Sequence, residues 1–485
     1  MCRAGRVCAL FLFLQGLYVL TSTGRLHVTD EASAFFQARE LVETGSLTVP
    51  ESTSGFAFYG KRDLVGRLRA PNGPLQAIAL VPYYLLGKTF VVAPGVPEDS
   101  RDLVLTFAVV LSSTTFCALA AALFLTLLIR RGVPPRIAVS VALALALGTP
   151  LFSYSAWLFS EPLAVSLLVG AALAAFGDPG PIKTGPATLA GALLGMCLLV
   201  RPGHVLAAPL FVAAVLVRDG RRGLHAAIGL GVLAAMWLVV YLVWNYHLFG
   251  HPFDFGYPEI ADRGKRINDF ETPLLTGLAG FLVSPGKSIV IHAPLVLLAI
   301  AALPRLARFD RGLALLAIAA PLSYLLLYAR YTQWEGGYCV GPRYLIPPLP
   351  FLILALGPSL KDANRTAWQR LLVLTAVGAL VQLVGLATSF LEDQYASGYY
   401  DQQFNYRLGY APLYSQSALF FHYVLVALSG EPTPPLGTGF DRWFLFLGKA
   451  GVSWWPKAAV LGAAIFVTAW AGRCLRQFWR ADSIA

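Results

Sequence analysis

Charge is scarce in this chain: Asp, Glu, Lys and Arg make up 13% of its 485 residues, against 57% hydrophobic. So few charges exclude an ordinary soluble domain, whose solvated surface takes about a quarter of its residues from these four types. Cysteine is sparse as well, with six in all, and no spacing among them matches a disulfide framework or a zinc site. The phosphate-cradling run GxxxxGK[ST] is missing, no short internal repeat is visible, and no polar stretch is long enough to fold as a separate soluble domain. The net charge of +11 does not point to nucleic acid, because no basic patch interleaves with aromatic residues. The cations sit instead in short connections between apolar runs, where they set orientation across a bilayer.

Those runs define the class. The expected architecture is an all-α polytopic membrane protein with about 12 transmembrane helices (11–13) and interfacial helices on the outer face. Expected spans are 7–24, 103–129, 137–152, 162–176, 186–200, 205–217, 224–248, 288–303, 312–329, 342–360, 369–390 and 456–474, each long enough or nearly so for a hydrocarbon layer of roughly 30 Å. Basic clusters at Arg3/Arg6, Arg130/Arg131/Arg136, Arg218/Arg221/Arg222, Arg305/Arg308/Arg311, Lys361/Arg365/Arg370 and Arg473/Arg476/Arg480 then fall on the cytoplasmic side. Counting 75–92 as a further span would invert every later loop, so it is read as an interfacial or partly inserted helix. Both termini are expected in the cytoplasm, and the first segment is expected to stay as an uncleaved anchor.

With this topology only Asp178, Asp219, Asp310, Asp362 and Asp482 of the 26 carboxylates lie inside. The rest gather in outer loops, above all 25–102 and 391–455. We expect a module over 1–360 with its working loop at 25–102, followed by a C-terminal transmembrane region, 361–485. The aromatic stretch Glu392–Tyr414 is a candidate acceptor surface or lid.

The outer loops carry the chemistry. Asp30-Glu31 opens a helical run, HVTDEASAFFQARELVETGSL, in which Phe35, Phe36 and Leu41 are expected to face lipid. These acids act either as helix-capping groups or as a base that takes a proton from an acceptor hydroxyl. Lys61, Arg67 and Arg69 are candidate phosphate ligands or headgroup contacts. Pro71, Gly73 and Pro74 are expected to turn the chain into the 75–92 helix.

Glu161 stands before Pro162 at a helix start and returns a carboxylate to the face of Asp30, where several acids together suit a divalent cation. Arg201 in LLVRPGH is either a charge that snorkels from a helix end or a phosphate ligand. Arg343 in WEGGYCVGPRYLIPPLP is read as a bidentate phosphate clamp, with Tyr344 beside it, or as a headgroup anchor with Trp334 and Tyr344 in an aromatic belt. Lys287, in a Ser-Pro-Gly-Lys turn, is a further candidate for phosphate or a plain turn residue. His251, Asp254 and His292 lack metal-ligand spacing and are read as structural.

The succession DEASAFFQARELVETGSL, APNGPLQAIALVPYYLLG, SEPLAV, LVRPG, GFLVSPGKSIVIHAPL and WEGGYCVGPRYLIPPLP, spread over residues 7–360, resembles the polyprenyl-phosphate-sugar-dependent bacterial branch of the C-type glycosyltransferases. That branch includes the protein O-mannosyltransferase-like and aminoarabinose transferase-like enzymes. The resemblance implies an inverting transferase of the cell envelope with an outer-facing site. Its donor is a sugar on polyprenyl phosphate, its acceptor a glycan, lipid or protein hydroxyl, and its partners include membrane lipids but no nucleic acid. It maps the catalytic base to Asp30, with Glu31 adjacent, and a second acid to Glu161, where a divalent cation is expected. Where the family commonly has a Tyr-Ser-Arg-type run with an Asp, this chain has Tyr154-Ser155-Ala156 and a Glu, which leaves metal dependence open. The rival expectation is a transporter or flippase of lipid or lipid-linked sugar without transfer, in which buried charges mark a path.

Overall fold

The computed structural model describes residues 3–53, 56–57, 60–71, 73–257, 259–260, 265–266, 270–337, 339–387, 389, 416–430 and 440–481; the aromatic stretch Glu392–Tyr414 lies outside them. The fold is helical. Its elements are α1 (Arg3–Thr21), α2 (Thr29–Glu43), α3 (Pro74–Val91), α4 (Arg101–Arg130), α5 (Pro135–Leu147), α6 (Leu151–Tyr154), α7 (Glu161–Phe176), α8 (Thr184–Leu198), α9 (Ala207–Asp219) and α10 (Leu224–Phe249). They continue with α11 (Leu274–Val283), α12 (Ile289–His292), α13 (Leu295–Phe309), α14 (Arg311–Arg330), α15 (Leu349–Ile353), α16 (Leu356–Ser359), α17 (Arg365–Ala387), α18 (Gln416–Leu428), α19 (Trp443–Lys449) and α20 (Trp454–Ala481). Strand structure among the described residues is confined to three antiparallel pairs of two-residue strands.

Among the described residues, six helical stretches are long and apolar enough to cross a bilayer: Ala4–Thr21, Glu98–Arg130, Pro202–Phe249, Arg311–Arg330, Arg365–Ala387 and Trp454–Trp479. The other expected spans fall on shorter or broken helices. The expected span 342–360 is the largest departure from the sequence reading. It is a single 3₁₀ turn, Arg343–Leu345, followed by the short α15 and α16. The cause is the run of prolines at 342, 347, 348, 350 and 358, each without an amide to donate. Residues 341–357 are all buried, so this irregular backbone is enclosed by protein, where non-helical chain is tolerated at membrane depth. Likewise 288–303 is divided into α12 and α13 at Pro294. The 75–92 segment is the single helix α3, which is not among the six.

α4 runs through the middle of the molecule, packed on α1, α3, α5 and α7. Its Ala118, Ala120, Ala121 and Ala122 are buried, and small residues of this kind let helix backbones approach closely where hydrophobic driving force is weak. α1 lies along α20; a Cβ on Gly16 would collide with Thr468 and the backbone of Ala464. The N-terminal and C-terminal stretches of the chain therefore pack on each other.

The ion pairs fall into two separate sets. Arg131 Nη2 to Asp310 Oδ2 (2.7 Å), Arg218 Nε to Asp310 Oδ2 (3.3 Å) and Arg130 Nη2 to Asp178 Oδ1 (2.6 Å) join residues expected on the inner side. Asp30, Glu161, Arg201, Arg343, Arg25, Asp441, Lys61 and Asp254 pair, among the described residues, with others expected on the outer side. Among the described ion pairs none links the two sets.

Candidate active site at the start of α2

The site begins with the way α2 is started. Glu31, fully buried, is the third residue of the helix and reaches back to accept from the amides of His27 (2.6 Å) and Val28 (3.2 Å) through Oε2. This is the glutamate half of a capping box, and it occupies donors the helix itself leaves open. The other oxygen, Oε1, accepts from the amide of Leu158 at 2.8 Å. Gln76 of α3 donates to the carbonyl of the same Leu158 at 3.2 Å. Both bonds fix the 157–160 loop that leads into α7 and Glu161. Glu31, expected from the sequence to be catalytic beside Asp30, is thus placed as a clamp with both carboxylate oxygens engaged by backbone.

α2 buries Ala32, Ala34, Phe35 and Ala38, and Phe35 meets Tyr84 of α3 edge-on, with centroids 6.1 Å apart. The expectation that Phe35 faces lipid is therefore corrected: α3 covers that side, and Phe36 and Leu41 are half-buried. The expected turn before α3 is present. A Cβ on Gly73 would overlap the carbonyl of Leu199, and the Leu75 amide donates to that carbonyl at 3.2 Å. This close approach holds the head of α3 against the segment carrying Arg201.

Four charged side chains from distant parts of the sequence converge there. Arg343 Nη2 donates to Asp30 Oδ2 at 2.9 Å, and its Nε lies 3.6 Å from Glu161 Oε1. Arg201 Nη1 donates to the same Glu161 oxygen at 3.1 Å. Both guanidinium carbons stand 5.2 Å from the Tyr344 ring centre, within cation–π range. Tyr344 is itself stacked on Tyr328 at 4.2 Å and 4°. Gly336, at φ +85°, lets its loop turn close against the Arg343 side chain. Asp30, Gln76, Phe159, Ser160, Arg201 and Arg343 line one narrow cavity. Two acids and two guanidiniums leave the cluster neutral. Glu161 Oε2 has no hydrogen-bond partner among the described residues.

The remaining candidates are placed elsewhere. Lys287 is fully buried and donates from Nζ to the Cys339 carbonyl at 2.8 Å, bracing the loop that carries Arg343. Arg69 is held by Asp63 Oδ2 through Nε (2.9 Å) and Nη2 (2.8 Å). Burial alone would raise the Asp63 carboxyl, but the Arg67 amide and Arg69 outweigh it and hold the group below its ordinary range. Lys61 pairs with Asp254 and Arg67 with Asp63, so each basic group singled out in this loop already has an acid. His292 faces the Gly286 carbonyl at 3.1 Å, a structural contact.

A divalent cation fits the described donor set poorly. Such an ion takes several oxygen ligands, whereas Asp30 and Glu161 each face a guanidinium, and among the described residues no group of three or more His, Cys, Asp or Glu gathers to hold a metal.

Two neighbours of the site were missed by the sequence reading. Asp441 receives Arg25 Nε at 2.8 Å and lies 2.7 Å from His27 Nε2. Burial opposes charge on His27, but Asp441 and Glu31 together hold its titration above the ordinary value. Burial likewise pushes Asp441 up, yet His27 and Arg25 outweigh it and keep the group ionised. His27 stands three residues ahead of Asp30, a position open to notice; nothing in the sequence ties Asp441 to it.

No family model and no curated protein sequence matches the chain. Among solved structures, the Archaeoglobus fulgidus oligosaccharyltransferase in its apo form is similar at a TM-score of 0.45 and 14% identity, over 93% of this chain and 59% of that one. This chain thus spans about three fifths of that protein's length. The likeness is in chain path at its coarsest, and the chemistry of the site rests on its own residues.

Proposed function

We propose that this chain is an integral membrane glycosyltransferase that moves a sugar from a polyprenyl-phosphate donor to an acceptor hydroxyl, with inversion, on the outer face of the cell membrane. The observation that carries the reading is the convergence of Asp30 and Glu161 with Arg201 and Arg343 around one small cavity. The resemblance of the ordered motifs supplies the reaction class, and the basic connections supply the expected topology of about 12 crossings with both termini in the cytoplasm. The separation of the two ion-pair sets supports placing their loops on opposite faces.

The roles follow from the charges. A neutral cluster gains excess negative charge when a donor phosphate enters, and the guanidinium shared between Asp30 and Glu161 is the group able to turn to it. Arg343 and Arg201 then stabilise charge building on the leaving phosphate, a term that grows toward the transition state. Turning Arg343 away from Asp30 leaves that carboxylate to accept the proton of the attacking hydroxyl. The C–O bond to phosphate breaks as the new glycosidic bond forms on the opposite face. The phosphate is a stabilised leaving group, so no second carboxylic acid is needed to protonate it, in contrast to a glycoside hydrolase. Glu161 holds the two arginines in register, and its Oε2 is available to a substrate hydroxyl. Glu31 and Lys287 are positioning residues, and no step is routed through a metal.

The test is transfer from a panel of radiolabelled polyprenyl-phosphate sugars by membranes containing wild type or Asp30→Asn at matched expression. Labelled product from wild type alone supports the enzyme and identifies the donor. No donor consumed by either, or equal product from both, rejects the assignment of Asp30 and turns attention to transport of the lipid-linked sugar.

A further inference from the structure

The start of α5 packs beside α16, α17 and the last helix, α20. Three of the basic clusters expected on the inner side, those within 130–136, 361–370 and 473–480, meet there. Between α5 and the segment leading into α17 is an open cleft of about 470 Å³, lined by Pro134, Arg136, Ile137, Leu360, Lys361 and Trp368 among others. That volume lies within the range of ligand sites, about 300–1,000 Å³, and takes a phosphate diester with the glycerol beside it.

The lining holds two cations and no acid. Arg136 is held by rings rather than by an opposite charge. Its guanidinium carbon stands 3.8 Å from the Trp479 ring centre and 5.8 Å from that of Trp368, and its Nε is buried without a hydrogen-bond partner among the described residues. Lys361 Nζ lies 5.0 Å from the Phe309 ring centre. Neither cation belongs to an ion pair among the described residues, whereas Arg130, Arg131 and Arg218 of the same side are matched by Asp178 and Asp310. Asp362, next to Lys361 in sequence, is exposed and outside the lining. Two uncompensated cations facing one cleft, a planar guanidinium and a compact ammonium, are suited to a phosphate.

The walls decide between a free anion and a lipid. Pro134, Ile137 and Leu360 are apolar, and Trp368 and Trp479 are of the type that gathers at the headgroup level of a bilayer. Leu372, one turn beyond Trp368 on the same face of α17, is 69% exposed, so an apolar track leads away from the cleft along the helix. We infer that this cleft is a site for the headgroup of an anionic phospholipid, its phosphate between Arg136 and Lys361 and an acyl chain along Leu372. The inference goes beyond the transferase reading and does not depend on it, since the cleft shares no residue with the candidate active site. A lipid bound there bridges α5 and α17 and stabilises the fold by mass action.

The test is native mass spectrometry of the full-length protein in detergent with equal amounts of phosphatidylglycerol and phosphatidylcholine of the same acyl chains. We expect wild type to retain phosphatidylglycerol in preference, the preference to fall about fivefold in each of Arg136→Gln and Lys361→Gln, and Lys361→Glu to abolish it. Arg222→Gln, which removes an exposed cation expected on the same side, should leave it unchanged. Phosphatidylglycerol should also raise the melting temperature of wild type and not that of Lys361→Glu. Lys361 is exposed, so its variants decide the matter even where Arg136→Gln fails to fold. The site is overturned if the two lipids are retained equally, or if Lys361→Glu keeps the wild-type preference. An equal loss in Arg222→Gln also overturns it, by marking a diffuse attraction to basic surface. Displacement of the lipid by inorganic phosphate or glycerol 3-phosphate overturns it in favour of a small-anion site.

Discussion

Asp30 and Glu31 are neighbours in sequence, yet replacing their carboxylates by amides should give opposite phenotypes. The buried Glu31 carboxylate accepts from three backbone amides, those of His27, Val28 and Leu158, at 2.6, 3.2 and 2.8 Å. Glutamine keeps one oxygen. In its better orientation that oxygen retains His27 and Val28, while its NH₂ group is set against the Leu158 amide, donor against donor. Losing one hydrogen bond to a charged group and stranding one buried donor costs about 2–3 kcal/mol; Glu31→Ala, which strands all three, costs about 4 kcal/mol or more. Asp30 is more accessible, its side chain 22% exposed beside Arg343, and asparagine still offers that arginine an oxygen, so Asp30→Asn costs about 1 kcal/mol. Activity runs the other way. Asp30→Asn removes the proposed base and lowers transfer by about 10²–10⁴-fold, whereas Glu31→Gln, which loosens only the 157–160 loop, lowers it about tenfold per folded molecule. Equilibrium unfolding in mixed SDS micelles and transfer normalised to folded protein read the two quantities separately. A Glu31→Gln variant as stable as wild type, or an Asp30→Asn variant keeping more than a tenth of its transfer, would refute the division of roles.

Other outcomes follow from the same geometry. Arg343→Lys keeps a charge but not the reach to both Asp30 and Glu161, and should lower kcat about 10²–10³-fold with a smaller change in KM, measured by steady-state transfer. Asp310 joins Arg131 and Arg218 and caps α14 through the Leu313 amide; Asp310→Ala should destabilise the protein by about 3–5 kcal/mol and leave transfer per folded molecule unchanged. Burial pushes the Glu335 carboxyl from its ordinary 4.5 up to about 7, with a hydrogen bond from its own backbone amide and the charge of Lys287 only partly opposing it. Its neutral form is thus favoured by folding, and the stability it permits at low pH is lost as pH rises from about 4.5 through about 7. Glu335→Gln should therefore match wild type at pH 4 and exceed it by about 3 kcal/mol at pH 8, in denaturant titrations at both pH values.

How much was legible in the sequence depends on the range over which each feature is decided. Helices at the expected spans could be read because a run such as that of α4 must satisfy its own backbone in an apolar medium, and a helix does so from local residues alone. The turn at Gly73 and the helix start at Asp30-Glu31 are local in the same way. The span at 342–360 went astray because its apolar character was legible while its enclosure by other helices was not. The proline-broken backbone is acceptable only inside that enclosure.

The sequence alone determined that this chain is helical and apolar, and which charged residues were available to a site. Only the tertiary structure decided which of them meet. Arg343 reaches Asp30 across 313 positions of chain and Glu161 reaches Arg201 across 40, while Lys287 and Arg69 are bound to other partners. Composition and periodicity carry no record of such meetings, because a charge's role is set by the partner that compensates it, and in a helical bundle that partner comes from whichever helix packs alongside.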